Sequence, residues 1–461
     1  MTDMAVFVWT KACGQPRQLG TLMRTGNRAI MSYDGAAADL PGLSAIHDLR
    51  RLAGRSVDWL IDPSMPLPPC LSPLVPPRAA ENLQRRLLLR RLEKTEGIPA
   101  DPIDLEWSLL KLAGRGGIGH LAIFASPDHA AAFYDRPPSP PTTLGTDIWS
   151  VVDRLLGDDI IAPIEEERLF AIAAERPSAV GVMPKLVLPV IIDGDAVEVV
   201  AKIADERRYP GVLHLEELCL NLHEECGFRT PRHWLRRSAE GLTVLLVERF
   251  DRRNGLPVPL ESAFSVLNVA FAGKVRTSWT ESGKTPSLEM LGALFTRMDP
   301  PISICPREDA AELYGRLCMA FLTGNGDTHL ENFAFLGGFG ECRLSPVFDP
   351  APMRGYMGHR MFTSVAFGGL ESHQICRGAT DPTIGTAFVG LAKAFGLRGA
   401  VADDIFQHCR KKTADYAQRV EATEAPQHVK RLLIGMIEGD TLRLEKAFDD
   451  ARGTAVAGSS T

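Results

Sequence analysis

Gly324-Asn325-Gly326-Asp327-Thr328-His329-Leu330-Glu331-Asn332-Phe333-Ala334-Phe335 is the stretch that decides the fold, and Leu344-Ser345-Pro346-Val347-Phe348-Asp349-Pro350 follows it closely. Asn332 stands five residues after Asp327, and a second acid, Asp349, comes after a short hairpin. Phosphoryl transfer requires a carboxylate beside the attacking hydroxyl and oxygen ligands on a Mg²⁺ that bridges the phosphates. A D-x-x-x-x-N loop with a trailing F-D supplies that set, with base and metal ligand on one loop. Asn325, Asp327 and Asn332 are also the residue types that cap and turn an ordinary surface loop. The D-x-x-x-x-N spacing alone is common. Joined to Phe348-Asp349 in a helical region, it favours the phosphoryl-transfer reading. His329, two residues after Asp327, reads as a loop-stabilising side chain before it reads as a reacting group.

Working upstream, the same chemistry needs a lysine on a strand, a glutamate on the following helix and a hinge strand. Val199-Val200-Ala201-Lys202-Ile203 places a lysine inside an apolar run, which is costly unless the lysine is paired or snorkels to solvent. The helix read at Leu215–Cys226 offers Glu216 and Glu217, and Leu245-Leu246-Val247-Glu248-Arg249-Phe250 reads as the hinge strand. Four elements in this chain order make the snorkelling alternative the weaker one. A Gly-rich loop is missing ahead of Lys202. Ser178-Ala179-Val180-Gly181-Val182-Met183-Pro184-Lys185 takes its place.

Further out, the plan is α+β. Strand patterns lie at Ala5–Trp9 and Arg28–Tyr33, a proline-rich segment at Pro63–Pro77, helices at Ala79–Leu92 and Asp104–Leu112, and a strand at His120–Phe124. The prolines from Pro137 to Pro141 mark a boundary, because they propagate neither helix nor ladder. A helix over Pro163–Glu175 precedes strands at Lys185–Ile191 and Ala196–Ile203, joined by the hairpin signal Asp193-Gly194-Asp195. After Asp251 the pattern is helical: Ser287–Met298, Arg307–Thr323, Pro382–Phe395, Ala400–Val420 and Pro426–Phe448. The expected division is a β-rich front over 1–135, a linker over 136–147, an ATP-binding N-lobe over 148–250, a helical C-lobe over 251–450 and a flexible tail over 451–461.

Composition narrows the function. With 51 Lys and Arg against 57 Asp and Glu, the chain carries a formal charge of −6, which disfavours unaided nucleic-acid binding. No run is long and apolar enough to span a bilayer, and Met1–Thr10 lacks the features of a signal peptide. Nine cysteines without C-x-x-C spacing fit reduced thiols, so the expected location is the cytoplasm. Gly114-Arg115-Gly116-Gly117-Ile118-Gly119 matches a dinucleotide fingerprint. That motif needs a strand before it and a helix after it, whereas here a helix precedes and a strand follows, so it reads as a tight turn. His223 reads as a surface or partly packed residue. Arg249, Arg252 and Arg253 read either as phosphate contacts or as ion pairs with nearby acids.

Ser178, Gly181 and Pro184-Lys185, the strand with Lys202, Val247-Glu248-Arg249-Phe250-Asp251-Arg252-Arg253, the Gly324–Asn332 loop and Ser345–Asp349 together resemble the HipA family. These are Ser/Thr kinase toxins of bacterial toxin–antitoxin systems. Leu19-Gly20-Thr21-Leu22 and Ile30-Met31-Ser32-Tyr33-Asp34 extend the resemblance to the front of the chain. It implies a protein-kinase-like two-lobe fold. It makes Asp327 the catalytic base and Asn332 and Asp349 the Mg²⁺ ligands, and it places Lys202 on the ATP phosphates, with Glu216 as its pairing acid. Glu248, Arg249 and Phe250 fall at the adenine hinge, Val180, Gly181, Val182, Met183, Pro184 and Lys185 on the phosphate-side loop, and His329 beside the nucleotide. Ser178 matches the loop serine that such kinases autophosphorylate to switch themselves off.

The resemblance further implies a protein substrate, such as an aminoacyl-tRNA synthetase or another translation factor. A small, separately encoded antitoxin would bind the DNA, so DNA contact would be indirect, and no membrane is involved. Two other readings stay open at this point: an aminoglycoside-type small-molecule phosphotransferase, which shares a related G-D-x-x-x-x-N loop, and a catalytically inactive member acting as a regulatory binding module.

Overall fold

The computed structural model describes residues 4–79, 82–137, 140–146, 148–156, 183–204, 206–239, 241–271, 286–359, 361–370, 374 and 383–458. The chain divides into two compact units. One comprises Met1–Asp205, Arg232–Glu261 and Leu336–Phe339, and the other Glu206–Pro231, Ser262–Phe335 and Gly340–Thr461.

The first unit holds two antiparallel sheets. Strands β1 (Met4–Thr10), β2 (Arg17–Thr25), β3 (Arg28–Tyr33), β4 (Ser56–Leu60) and β5 (Leu121–Phe124) form one, in the order β4-β3-β2-β1-β5. Alternation in β1 sends Val6 and Val8 into a core shared with Leu22, Met31 and Trp107, all fully buried. The Pro102–Ala113 helix that carries Trp107 starts where Asp101 accepts from the amides of Ile103 and Asp104, with Pro102 in its first turn. Trp107 Nε1 donates to Pro66 O at 3.0 Å, and Leu67, Leu71 and Leu74 are buried beside it. The proline-rich segment is therefore part of the core of this unit.

The second sheet contains β6 (Lys185–Ile192), β7 (Asp195–Ile203), β8 (His233–Arg237) and β9 (Thr243–Glu248), ordered β6-β7-β9-β8. Its first hairpin closes on Asp193 at φ 52° and Gly194 at φ 97°, with Ile192 opposite Asp195. Two successive positive φ angles are what a two-residue hairpin of matching twist requires, and the Asp-Gly pair is suited to them. Strand β8 is an addition to the sequence reading, and so are the helices Pro127–Tyr134 and Ile148–Leu156.

Helices dominate the second unit: Val212–Glu225, Ala263–Ala270, Leu288–Thr296, Pro306–Thr323, Thr383–Leu391, Gly399–Lys412, Tyr416–Glu421 and Gln427–Gly458. The single helix expected over Ala400–Val420 is two helices, broken after Lys412, where the Thr413 hydroxyl bonds back to Cys409 O. The last helix runs on past Asp450 into residues that the sequence reads as a tail, through an Arg-Gly-Thr-Ala-Val-Ala stretch that includes good helix formers. The helix expected over Pro163–Glu175 lies outside the described residues. Among the described residues, no helix is long and apolar enough to cross a membrane.

Candidate active site

The Pro306–Thr323 helix delivers the Asp327 loop. It begins with a proline in its first turn and acids Glu308 and Asp309, which suit a helix N-terminus, and it ends at Gly324 in the left-handed region at φ 78°. A side chain at this φ would be strained, and a Cβ would also lie 2.6 Å from a Leu433 methyl, so glycine suits the turn. Beyond it, Asn325 Oδ1 accepts from the Asp327 amide at 3.0 Å, and Asn332 Nδ2 donates to Asp327 O at 2.7 Å. The D-x-x-x-x-N stretch is thus a loop closed on itself, and Ser364 Oγ pins it from outside by donating to Gly326 O at 2.9 Å. Its amide and carbonyl engaged in this way, Asp327 keeps a carboxylate that is 45% exposed. His329 Nε2 stands 3.9 Å from that carboxylate, and among the described residues its buried Nδ1 has no hydrogen-bond partner.

A Cβ on Gly326 would fall 2.2 Å from Met361 O. Gly326→Ala should therefore lower stability by about 1–3 kcal/mol, as overpacking against backbone does. Chemical denaturation checks this, and an unchanged midpoint would contradict the close packing of the loop.

Asp349 follows on a segment fastened at both ends. Ser345 donates its amide to Ala334 O at 2.8 Å, and Val347 donates to Arg229 O at 2.7 Å. Arg316 Nη2 donates to Ser345 O at 2.6 Å and pairs with Glu312. Asp349 itself adopts φ 52°, an uncommon conformation for a residue other than glycine and of the kind that collects at functional sites. Asn332 and Asp349 line one cavity of about 30 Å³ with Asn325, Thr328, His223 and Arg316.

His223 is only 3% exposed, not a surface residue, because the Val212–Glu225 helix turns that face inward. Burial pushes its imidazole down to about 4, so the ring is neutral. Burial likewise pushes the Arg316 guanidinium down to about 10, against the attraction of Glu312, and it stays charged at neutral pH. The sequence reading missed both residues as parts of the site. The available signal was a charged residue inside the apolar run Tyr314-Gly315-Arg316-Leu317-Cys318. Glu216, on the same helix as His223, is 1% exposed.

In the first unit, Lys185 and Lys202 are direct cross-strand partners on β6 and β7, and both are buried, at 4% and 5% exposed. Met183 and Pro184 precede Lys185 and are half-buried, whereas Ser178, Val180, Gly181 and Val182 lie outside the described residues. Glu248 ends β9 with its carboxylate held by Arg232 at 2.6 and 2.8 Å, and Phe250 is half-buried just after it.

Arg249 turns inward. Its Nη2 lies 2.8 Å from Asp251 and 2.6 Å from Gly117 O, so the guanidinium is fully engaged and any contact it makes at a hinge falls to its backbone. Burial opposes both charges of this pair. Their mutual attraction nevertheless holds Arg249 above and Asp251 below the ordinary range. The Gly114–Gly119 turn is the platform for this pair: Gly117 and Gly119 offer carbonyls to Arg252, and Gly119 donates its amide to Asp251 at 2.7 Å. A helix precedes the turn and a strand follows it, and its carbonyls face cations, which is the opposite polarity to a phosphate cradle.

Antiparallel sheets toward the N-terminus, helices toward the C-terminus and a closed D-x-x-x-x-N loop ahead of Phe348-Asp349 define an α+β protein of the kinase-like plan. The model of the HipA-like C-terminal domain matches residues 177–417, just over half of the chain. The chain therefore belongs to the HipA-like family. The Shewanella oneidensis MR-1 HipA toxin, solved in complex with HipB and its operator DNA, is similar with a TM-score of 0.62 and 16% identity, over 97% of this chain and 99% of that one. At that identity the likeness is one of fold. The Helicobacter pylori proinflammatory kinase CtkA is more distant, with a TM-score of 0.38 and 12% identity, over 59% of this chain and 95% of that one. No curated protein matches the chain.

Proposed function

We propose that the chain is an ATP- and Mg²⁺-dependent serine/threonine protein kinase and the toxin of a toxin–antitoxin pair, with residues 148–250 as the ATP-binding lobe and 251–450 as the catalytic lobe. The observation that carries this reading is the closed loop in which Asn332 Nδ2 binds Asp327 O. It spends the amide nitrogen of Asn332 on the loop and leaves Oδ1, a hard oxygen, for a cation. It also leaves the exposed Asp327 carboxylate for a proton.

The donor set fits Mg²⁺. Asn332 and Asp349 line one cavity, and Mg²⁺ uses one or two protein oxygens beside phosphates and waters. Among the described residues, no cluster of three or more His, Cys, Asp or Glu forms a fuller metal cage. When bound, Mg²⁺ and ATP supply the transferable phosphoryl group with its charge neutralised. Asp327 accepts the proton of the substrate hydroxyl as general base. Lys202, in a buried strand, holds the phosphates, with Glu216 as its pairing acid, and the backbone around Glu248, Arg249 and Phe250 receives the adenine. His329, near Asp327, restrains that carboxylate.

An antitoxin partner is supported by the solved relative, whose complex contains HipB and operator DNA. A small DNA-binding antitoxin would carry the DNA contact, because this chain has a net charge of −6. The substrate is a protein hydroxyl. Presenting the chain with labelled ATP and, separately, with a bacterial protein pool and with aminoglycosides tests this. Label on protein supports the proposal, and label on the aminoglycoside alone overturns it.

Ser178, seven residues before Lys185 in the sequence, is the proposed autophosphorylation site. A phosphate there adds about −1.5 to −2 charges and should repel ATP or compete for its donors. After long incubation with Mg²⁺ and ATP, mass spectrometry should find Ser178 modified and calorimetry should find weaker ATP binding. An unmodified Ser178, or undiminished affinity of the modified protein, would remove this switch and leave the kinase reading standing.

A further inference from the structure

His223 has no part in the chemistry proposed above, yet it lines the same cavity as Asn332 and Asp349. Its Nδ1 lies 2.7 Å from Cys219 O, one turn back on its own helix. A carbonyl oxygen only accepts, so Nδ1 carries the hydrogen and Nε2 presents a lone pair. His223 lines the cavity, and with Nδ1 spent on Cys219 O, Nε2 is the ring atom left to accept a hydrogen bond from what the cavity holds. The cavity measures about 30 Å³. One water needs roughly 10–15 Å³ and two to four polar partners. Arg316 forms part of the same wall, with Nη2 committed to Ser345 O and Glu312. A water beside that cation turns its oxygen toward the guanidinium and its hydrogens away.

We propose that a water held in this cavity donates one hydrogen to His223 Nε2 and the other to the Asp349 carboxylate, which makes His223 a positioning residue for the Asp349 metal ligand. The inference rests on the reading of Asn332 and Asp349 as Mg²⁺ ligands. His223 touches neither metal nor substrate. It acts by fixing the orientation of a carboxylate whose backbone already adopts a constrained conformation. Partners of this outer kind typically change metal affinity by about 10–100-fold when removed.

Calorimetry of the full chain with ADP, in Mg²⁺ and in EDTA, tests the role. His223→Leu should weaken Mg·ADP binding about tenfold and leave binding of ADP in EDTA unchanged. His223→Gln, whose amide oxygen reaches the place of Nε2, should restore binding close to wild type. Equal Mg·ADP affinity in His223→Leu, or the same loss in EDTA, overturns the positioning role. Should His223→Leu not fold, His223→Asn, which mimics Nδ1 and not Nε2, replaces it. A high-resolution diffraction map of the wild-type chain decides the water independently of nucleotide. Density within hydrogen-bonding distance of both Nε2 and Asp349 supports the proposal, and its absence overturns it. Wild-type protein that binds no Mg·ADP, in a crystal that holds the water, overturns the kinase reading and confines His223 to holding Asp349.

Discussion

Asp327→Ala should lower phosphoryl transfer by about 10²–10⁴-fold, the span that a positioned general base supplies, while the protein melts as the wild type does. The two effects separate because the loop is closed by the backbone of Asp327. Its amide bonds to Asn325 and its carbonyl to Asn332, and both bonds survive in alanine. The lost carboxylate is 45% exposed and contributes little packing. Single-turnover rates with matched melting curves read the result. A folded Asp327→Ala protein with near-wild-type turnover would remove the assignment of Asp327.

The second large effect concerns the metal. Asp349→Asn should weaken ATP binding in Mg²⁺ by about tenfold or more, because a direct ligand counts for at least as much as an outer partner, whose loss typically costs 10–100-fold. Asparagine is the better probe than alanine here. Asp349 sits at φ 52°, and asparagine tolerates that region, so the charge is removed without a new backbone strain. In EDTA, wild type and variant should bind ATP equally and weakly. Equal affinity of the wild type with and without Mg²⁺ would count against Asn332 and Asp349 as a metal site.

What was legible in the sequence had a chemical or conformational reason to be unusual. The Gly324–Asn332 loop concentrates Gly, Asn and Asp because it must turn within the space left by Leu433 and Met361, and the structure closes it through those same residues. The Asp193-Gly194 hairpin announced itself by a residue pair suited to two positive φ angles. Lys202 stood out as a charge in an apolar run and is indeed buried, and its cross-strand neighbour Lys185 shares that burial.

Less legible were features set by partners distant in sequence. His233-Trp234-Leu235-Arg236-Arg237 lacks an alternating pattern because β8 is an edge strand with half-buried and exposed positions. Arg249 read as a phosphate contact or as an ion pair with a nearby acid; its pair with Asp251 is the second of these, and only the fold buries that pair and brings Gly117 O to it. His223 gave no signal of its own, because its burial depends on the Pro306–Thr323 helix and on the Asp349 segment that lines the same cavity. The break after Lys412 was invisible because Thr413-Ala414-Asp415 contains neither glycine nor proline.

Transfer of label is the most direct test of the central claim. The full chain and its Asp327→Ala variant are incubated side by side with Mg²⁺, γ-labelled ATP and a bacterial lysate, and labelled proteins are identified by mass spectrometry. The account predicts a phosphorylated serine or threonine on a lysate protein with the wild type and none with the variant. Label that appears equally with both chains, or no protein label with the wild type while ATP remains intact, would contradict it.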